Sequence, residues 1–201
     1  MDTMPEIPET LFLNKPTITG ERVILRPFTE ADIKCMGPIL ADPEMIRLTG
    51  SANTTEEARS APATLDAKTV EWYRTRAEQT DRLDLAVVDV QTGRCVGETV
   101  LNGWSPADRS CNFRILIGPQ GRNRGLGSEA TRLTIDYAFA NSNLNRISLT
   151  VFAFNPRARR AYEKAGFVYE GTCREAFRFD GEYIDDQIMA ILRSDWEGTT
   201  S

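Results

Sequence analysis

Between Gly118 and Phe139 the chain reads GPQGRNRGLGSEATRLTIDYAF, with four glycines and three arginines before and at the head of an amphipathic run. The centre of this stretch is Arg122, Asn123, Arg124, Gly125, Leu126, Gly127 and Ser128, an R-x-x-G-x-G pattern followed by a hydroxyl. Glycine lets a backbone curl close to a ligand, and the first turn of a helix presents unpaired N–H donors at the positive end of its dipole. Those are the requirements for holding an anion, and a pyrophosphate meets both. Alone, such a pattern arises by chance in roughly one chain of this length in five, and a solvated glycine turn is the alternative, so context decides. The G-K-[ST] ending of a P-loop is absent, and no G-x-G-x-x-G opens a βαβ unit at the chain start. Nucleotide hydrolysis and hydride transfer lose ground accordingly.

The sequence contains no histidine. Ser-His and Cys-His nucleophiles, imidazole proton shuttles and most zinc chemistry are thereby removed, and acid or base work falls to Asp, Glu, Tyr, Lys or Cys. Cys35, Cys95, Cys111 and Cys173 are scattered with no C-x-x-C spacing, which disfavours a metal site or a disulfide framework and predicts small core residues. No metal is expected. Glu98, in CVGETVL, is placed by alternation on a strand face with Val96 and Val100, where burial would lift its pKa toward neutrality. A partnered or solvent-facing glutamate is the alternative. Glu175, Asp185 and Asp186 are further carboxylates, and a water chain could replace any dedicated base.

Composition narrows the partners. A net charge of -5 and a pI near 5.0 fit poorly with a nucleic-acid binder held by phosphate contacts. No apolar run approaches the roughly 20 residues of a membrane span. Met1 to Pro16 has neither an apolar segment nor a basic start, so no signal peptide is predicted and a cytoplasmic location is expected. At 201 residues one domain is expected, with a loose arm over 1–19 and a short tail over 197–201.

The elements that must position these residues are marked in the text of the chain. ERVILRPF reads as a strand, and TEADIKCMGPIL as a helix capped by Thr29 and interrupted near Gly37-Pro38. The stretch 42–80 is turn-rich and polar before helical spacing resumes at Leu65, and it reads as a variable, lid-like region. RLDLAVVDV, GRCVGETVL and SCNFRILIG form an antiparallel meander, the last feeding the glycine loop. After the loop, Leu126, Ala130, Leu133, Tyr137 and Ala140 mark the apolar face of a helix. RISLTVF is a strand. NPRARRAYEKAGF is a helix with Asn155 as N-cap, Pro156 at its first position and Gly166 in the left-handed conformation beyond its end. Two final strands are joined by Asp180-Gly181, a two-residue hairpin signal. The predicted class is α+β: a mixed, mostly antiparallel sheet with one parallel pair, flanked by helices.

The loop at 122–127, the strand at 146–152 and NPRARRAYEKAGF at 155–167 together resemble the GNAT superfamily of acetyl-CoA-dependent N-acetyltransferases. GERVILRPFTEADI and EYIDDQIMAILRSDW resemble the branch containing ribosomal-protein N-terminal acetyltransferases, and the likeness runs from Gly20 to Trp196. It implies acetyl-CoA as cosubstrate, with backbone amides of Arg122 to Ser128 on the pyrophosphate and the pantetheine arm along Ile115, Leu116 and Ile117, the parallel pair being splayed to admit it. It implies Tyr162 as the acid that protonates the departing sulfur, where a helix residue packing near Ala158 and Ala165 is the structural alternative. Asn155 gains a pantetheine hydrogen bond beside its capping role. Arg160, with Arg157, Arg159 and Lys164, is placed for the cofactor's 3′-phosphate or is simply solvated. Some members of the ribosomal branch carry a serine where this chain has Ala158, which argues against a serine-assisted mechanism. The acceptor is a primary amine, met by 42–80, Trp72, Tyr73, Trp104, Phe177 and Phe179, although these aromatics serve equally as packing. A monomer or homodimer is expected.

Overall fold

The computed structural model describes residues 11–200; residues 1–10 and 201, with the first half of the predicted arm, lie outside it. In chain order the elements are β1 (Ile18–Thr19), β2 (Val23–Arg26), α1 (Glu30–Leu40), α2 (Pro43–Thr49), α3 (Thr55–Arg59), α4 (Ala67–Arg74), β3 (Leu83–Asp89), β4 (Cys95–Ser105), β5 (Ser110–Ile117), α5 (Leu126–Ala140), β6 (Arg146–Phe152), α6 (Pro156–Lys164), β7 (Val168–Phe179), β8 (Glu182–Leu192) and α7 (Arg193–Thr200). The strands form one eight-stranded sheet in the order β1-β2-β3-β4-β5-β6-β8-β7. Every pair is antiparallel except β5 with β6.

Side chains of period two divide between the faces of this sheet. Leu85 and Val87 point into a core with Phe113, Ile135, Phe139, Ile147 and Met189 under α5, while Ala86 and Val88 meet Ile33, Met36 and Tyr73 from α1 and α4. The result is a sheet covered on both sides. Leu11 and Phe12, from the stretch read as a loose arm, are buried in the first of these cores, where Phe12 packs on Trp104. No helix among the described residues is long and apolar enough to cross a membrane.

Several local readings are corrected. Helix α1 is not interrupted at Gly37-Pro38: it continues to Leu40, and Ala41 donates to the Gly37 carbonyl at 3.0 Å. Pro38 falls in the last turn, where few hydrogen bonds remain to be lost, and a β-carbon at Gly37 would collide with the Ala63 carbonyl. The 42–62 stretch is not merely turns. Asp42 and Thr54 cap α2 and α3 by accepting from Met45 and Glu57 N–H, and the Asp180 carboxylate of the β7–β8 hairpin pins the start of α3 by accepting from Thr55 N and Oγ1 at 2.8 and 2.5 Å. The buried face of α5 is also rotated. It comprises Leu126, Ala130, Thr131, Thr134, Ile135, Ala138 and Phe139, while Leu133 and Tyr137 are half-buried and Ala140 is exposed. Thr131 and Thr134 enter the core because each hydroxyl donates to a carbonyl one turn back, Gly127 O and Ala130 O, at 2.8 Å.

Candidate active site

The parallel pair makes the site. β5 and β6 are in register only from Ser110↔Arg146 to Asn112↔Ser148, and beyond that the strands part. The edge of β5 from Phe113 onward therefore has no strand partner on that side and offers free backbone donors and acceptors to an extended ligand. A cleft of about 560 Å³ opens in the gap. Of the residues singled out by sequence, Ile115, Leu116, Ile117, Arg122, Asn123, Gly125, Gly127, Ser128, Asn155, Arg160, Tyr162 and Glu98 line it. Arg124 and Leu126 do not: the Arg124 guanidinium is drawn away to Asp89 and Gln91 at 2.8 Å, and Leu126 is buried in the core.

At the cleft mouth, Asn123 (φ 60°) and Gly125 (φ 76°) bend the backbone through the left-handed region just ahead of α5. Among the described residues no N–H from Arg122 to Ser128 donates to a backbone carbonyl. These are the orphan donors of a helix start, with no side-chain cap to satisfy them. An anionic, pyrophosphate-like group fits such a run. The side chains of the loop serve another purpose: Arg122 pairs with Asp42 and, at 2.5 Å, with Glu44, tying α2 to the loop. Gly125→Ala is expected to lower fold stability by ~1–2 kcal/mol in denaturant unfolding, the cost of a β-carbon in this conformation. That β-carbon would also press on the Arg22 side chain.

The opposite wall is α6. Asn155 accepts from Ala158 N–H at 3.1 Å and Pro156 occupies the first turn, so the helix starts where its sequence punctuation places it. Tyr162 is buried, edge-on to Phe113 and near Phe167. Burial pushes its hydroxyl up to about 12, so it keeps its proton at neutral pH. Arg159 is held by Glu163, and Arg157 by Glu44, whereas Arg160 and Lys164, both lining the cleft, carry no ion pair among the described residues.

A second cavity of about 230 Å³ adjoins the first on the α4 side of the sheet, lined by Trp72, Tyr73, Arg82, Glu98, Val100 and Arg114 among others. Glu98 lines both cavities and is only 5% exposed. Burial and the neighbouring Asp84 raise its carboxyl to about 7, against a hydrogen bond from the Tyr73 hydroxyl that favours the ionised form. Its Oε2 has no hydrogen-bond partner. Val96 does not share its face. Val87 pairs with Gly97 and Val88 with Cys95, so a bulge turns Val96 into the α5 core, and Glu98 is flanked instead by Ala86 and Leu116 across the ladder.

Residues 22–168 match the family model for the acetyltransferase (GNAT) domain. The chain belongs to the GNAT acetyltransferases. Among relatives, a spermidine N(1)-acetyltransferase of Vibrio cholerae is 40% identical over 86 residues, 43% of this chain and 50% of that protein. The match thus takes in half the length of that relative. A putative ribosomal N-acetyltransferase, YdaF of Bacillus subtilis, is 27% identical over 106 residues, 53% of this chain and 58% of the relative. The crystal structure of spermidine N-acetyltransferase from Vibrio cholerae in complex with CoA and spermine superposes with a TM-score of 0.75 over 89% of this chain and 99% of that one, at 24% identity, a likeness of fold. Likeness to a protein named as a putative ribosomal acetyltransferase thus stands beside likeness to one named for spermidine.

Elsewhere in the GNAT chain the structure redistributes the sequence candidates. Asp186 lines the main cleft with a buried, unpartnered Oδ1, whereas the Asp185 carboxylate accepts from the backbone N–H of Glu175 at 2.8 Å, and neither Glu175 nor Asp185 lines a cavity. Trp104 packs on Phe12 and lines neither cavity, and Phe177 stacks behind Phe152, which lines the main cleft. Cys173 is exposed and Cys35 half-buried, so only Cys95 and Cys111 are core residues, with thiols pushed up by burial to about 12. Met45, Leu48 and Thr49 of α2 fall within the 42–80 segment expected to meet the acceptor, although the sequence singles out none of them, and Arg114 of β5 is not among its candidates. No signal marks the α2 residues. Arg114 stood in plain view as the polar partner in the alternation of β5, but its lack of a partner is visible only in three dimensions.

Proposed function

We propose that this chain moves an acetyl group from acetyl-CoA to a primary amine by direct transfer in a ternary complex. The observation that carries the reading is that a buried carboxylate with an unpaired oxygen, Glu98, and a buried, protonated hydroxyl, Tyr162, line the same cleft as the run of free backbone donors. Bound acetyl-CoA supplies the thioester carbonyl and a thiolate leaving group. The loop from Arg122 to Ser128 holds the pyrophosphate through its N–H groups, with Arg160 and Lys164 free to meet further phosphate. The open edge of β5 at Ile115 to Ile117 hydrogen-bonds the extended pantetheine amides, which Asn155 meets from the α6 side.

Glu98 takes a proton from the amine as nitrogen bonds to the carbonyl carbon, and Tyr162 gives one to sulfur as the carbon–sulfur bond breaks. A group titrating near 7 suits this base role, since an alkylamine near pKa 10.4 arrives mostly protonated. The two core cysteines, with raised pKa values and no histidine to activate them, support direct transfer over an acyl-enzyme. The test is thiol release from acetyl-CoA on addition of amines, read together with calorimetric binding of CoA. Amine-dependent release establishes the transferase. Binding without release across a broad amine panel would make the protein a CoA-binding regulator, and absence of binding would remove the role of the loop.

A further inference from the structure

The acceptor side of the site carries a charge pattern of its own. On β4 and β5, Glu98 pairs with Leu116 and Val100 with Arg114, so Arg114 projects from the same face as Glu98, two pairs along the ladder. It lines both cavities, is exposed, and makes no hydrogen bond or ion pair among the described residues. Other arginines of these walls are committed: Arg82 to the buried Asp84 through two bonds of 2.7 Å, Arg122 to Asp42 and Glu44, Arg157 to Glu44. Arg160, also unpaired, stands on α6 at the phosphate side.

The carboxylates do not balance this cation. Asp84, Asp42 and Glu44 are already spent on arginines, and burial raises the proton affinity of both Glu98 and Asp186. Arg114 and Arg82 both lower the Glu98 pKa, which places two guanidinium groups in the field of the base. Beside them Trp72, 37% exposed, and Tyr73 form an aromatic wall suited to an apolar side chain.

Resting on the transferase reading, we propose that the acceptor amine also carries a carboxylate and that Arg114 binds it by a bidentate pair beside Glu98. A planar guanidinium matches a carboxylate in geometry as well as charge. The same chemistry has two sources, a free amino acid or the acidic first residue of a peptide.

Matched acceptors test this: L-phenylalanine against phenethylamine, L-lysine against cadaverine and spermidine, and peptides beginning with Glu against the same peptides beginning with Gln. The carboxylate-bearing members are expected to exceed their partners at least about tenfold in kcat/KM, and the amino-acid and peptide arms identify the source. Assayed at about pH 9, above the titration of Glu98 so that losing the field of Arg114 does not change the ionisation of the base, Arg114→Gln should raise KM for them about tenfold or more while kcat, and turnover of the plain amines, stay within about twofold, with Arg114→Lys recovering part of the KM loss. In parallel, calorimetry of the preferred carboxylate into CoA-bound protein should lose its signal in Arg114→Gln while CoA binding persists. Plain amines used as well as the carboxylates, or an equal effect of Arg114→Gln on both, would overturn the assignment. If nothing is acetylated but carboxylate binding still depends on Arg114, the transferase reading falls and the carboxylate site stands; loss of both removes both.

Discussion

Glu98→Gln is expected to lose about a hundredfold or more in kcat while gaining stability above pH 7. The first effect follows from removing a general base, a contribution of roughly 10²–10⁴. Its signature is the pH profile. With a carboxyl raised to about 7, the parent's kcat/KM should climb with pH below that point and level above it, and this limb should be missing from the variant. The second effect follows from linkage. A folded-state pKa above the unfolded value means that the native state keeps a proton the unfolded chain has released. The carboxyl therefore costs nothing below about 4.5, erodes stability progressively between about 4.5 and 7, and carries its full cost above 7. Glutamine does not titrate, so its advantage should grow across that window to on the order of 3 kcal/mol at most. Denaturant unfolding of both proteins at pH 4.5 and pH 8 measures it. A variant as active as the parent, or less stable at both pH values, would contradict the assignment.

Tyr162→Phe is expected to lower kcat by about a hundredfold with CoA affinity unchanged within about twofold. The ring is buried, and the hydroxyl, on the cleft wall, holds its proton to about 12, so its loss leaves the packing of the ring against Phe113 and Phe167 intact. The effect should shrink with an acyl donor whose thiol is more acidic, since such a thiolate departs without a proton. A purely structural tyrosine would show neither the large kcat loss nor that donor dependence. Equal turnover by Tyr162→Phe would remove the acid role.

What could be read in the sequence was whatever is written locally. Asn155-Pro156 and Gly166 bound α6, and Asp180-Gly181, with both φ values positive (48° and 86°), makes the tight turn of the β7–β8 hairpin. Such signals act within a few residues and need no tertiary partner. The sheet with its single parallel pair followed from the alternation of β3 to β6 and the crossover through α5. The short helices α2 and α3 lack the length for a visible period; they are held by caps and by distant groups, Arg122 on Asp42 and Asp180 on Thr55. The bulge at Val96 is invisible to alternation because one extra residue reverses the faces on either side of it. The buried threonines of α5 were missed because their polarity is concealed by hydrogen bonds one turn back.

The candidate site divides in the same way. The loop at 122–128 and α6 could be named from residue types, but that their side chains and backbone donors face one cleft depends on where β5 parts from β6. The pKa of Glu98 is a property of Ala86, Leu116, Asp84 and the cover provided by Tyr73, contributed from three separate elements. The proposed acceptor face, with Arg114 and Asp186 on the walls of the cleft, has no linear motif at all. It is assembled across β5 and β8, strands far apart in the chain.

The most direct test of the central claim is mass analysis of a pooled set of amines, amino acids and N-terminal peptides incubated with acetyl-CoA and the protein, alongside thiol release in the same sample. N-acetylated product in step with released thiol, and loss of both in Tyr162→Phe, is the predicted result. Thiol release that is the same with and without the pool, and no acetylated amine, would contradict it.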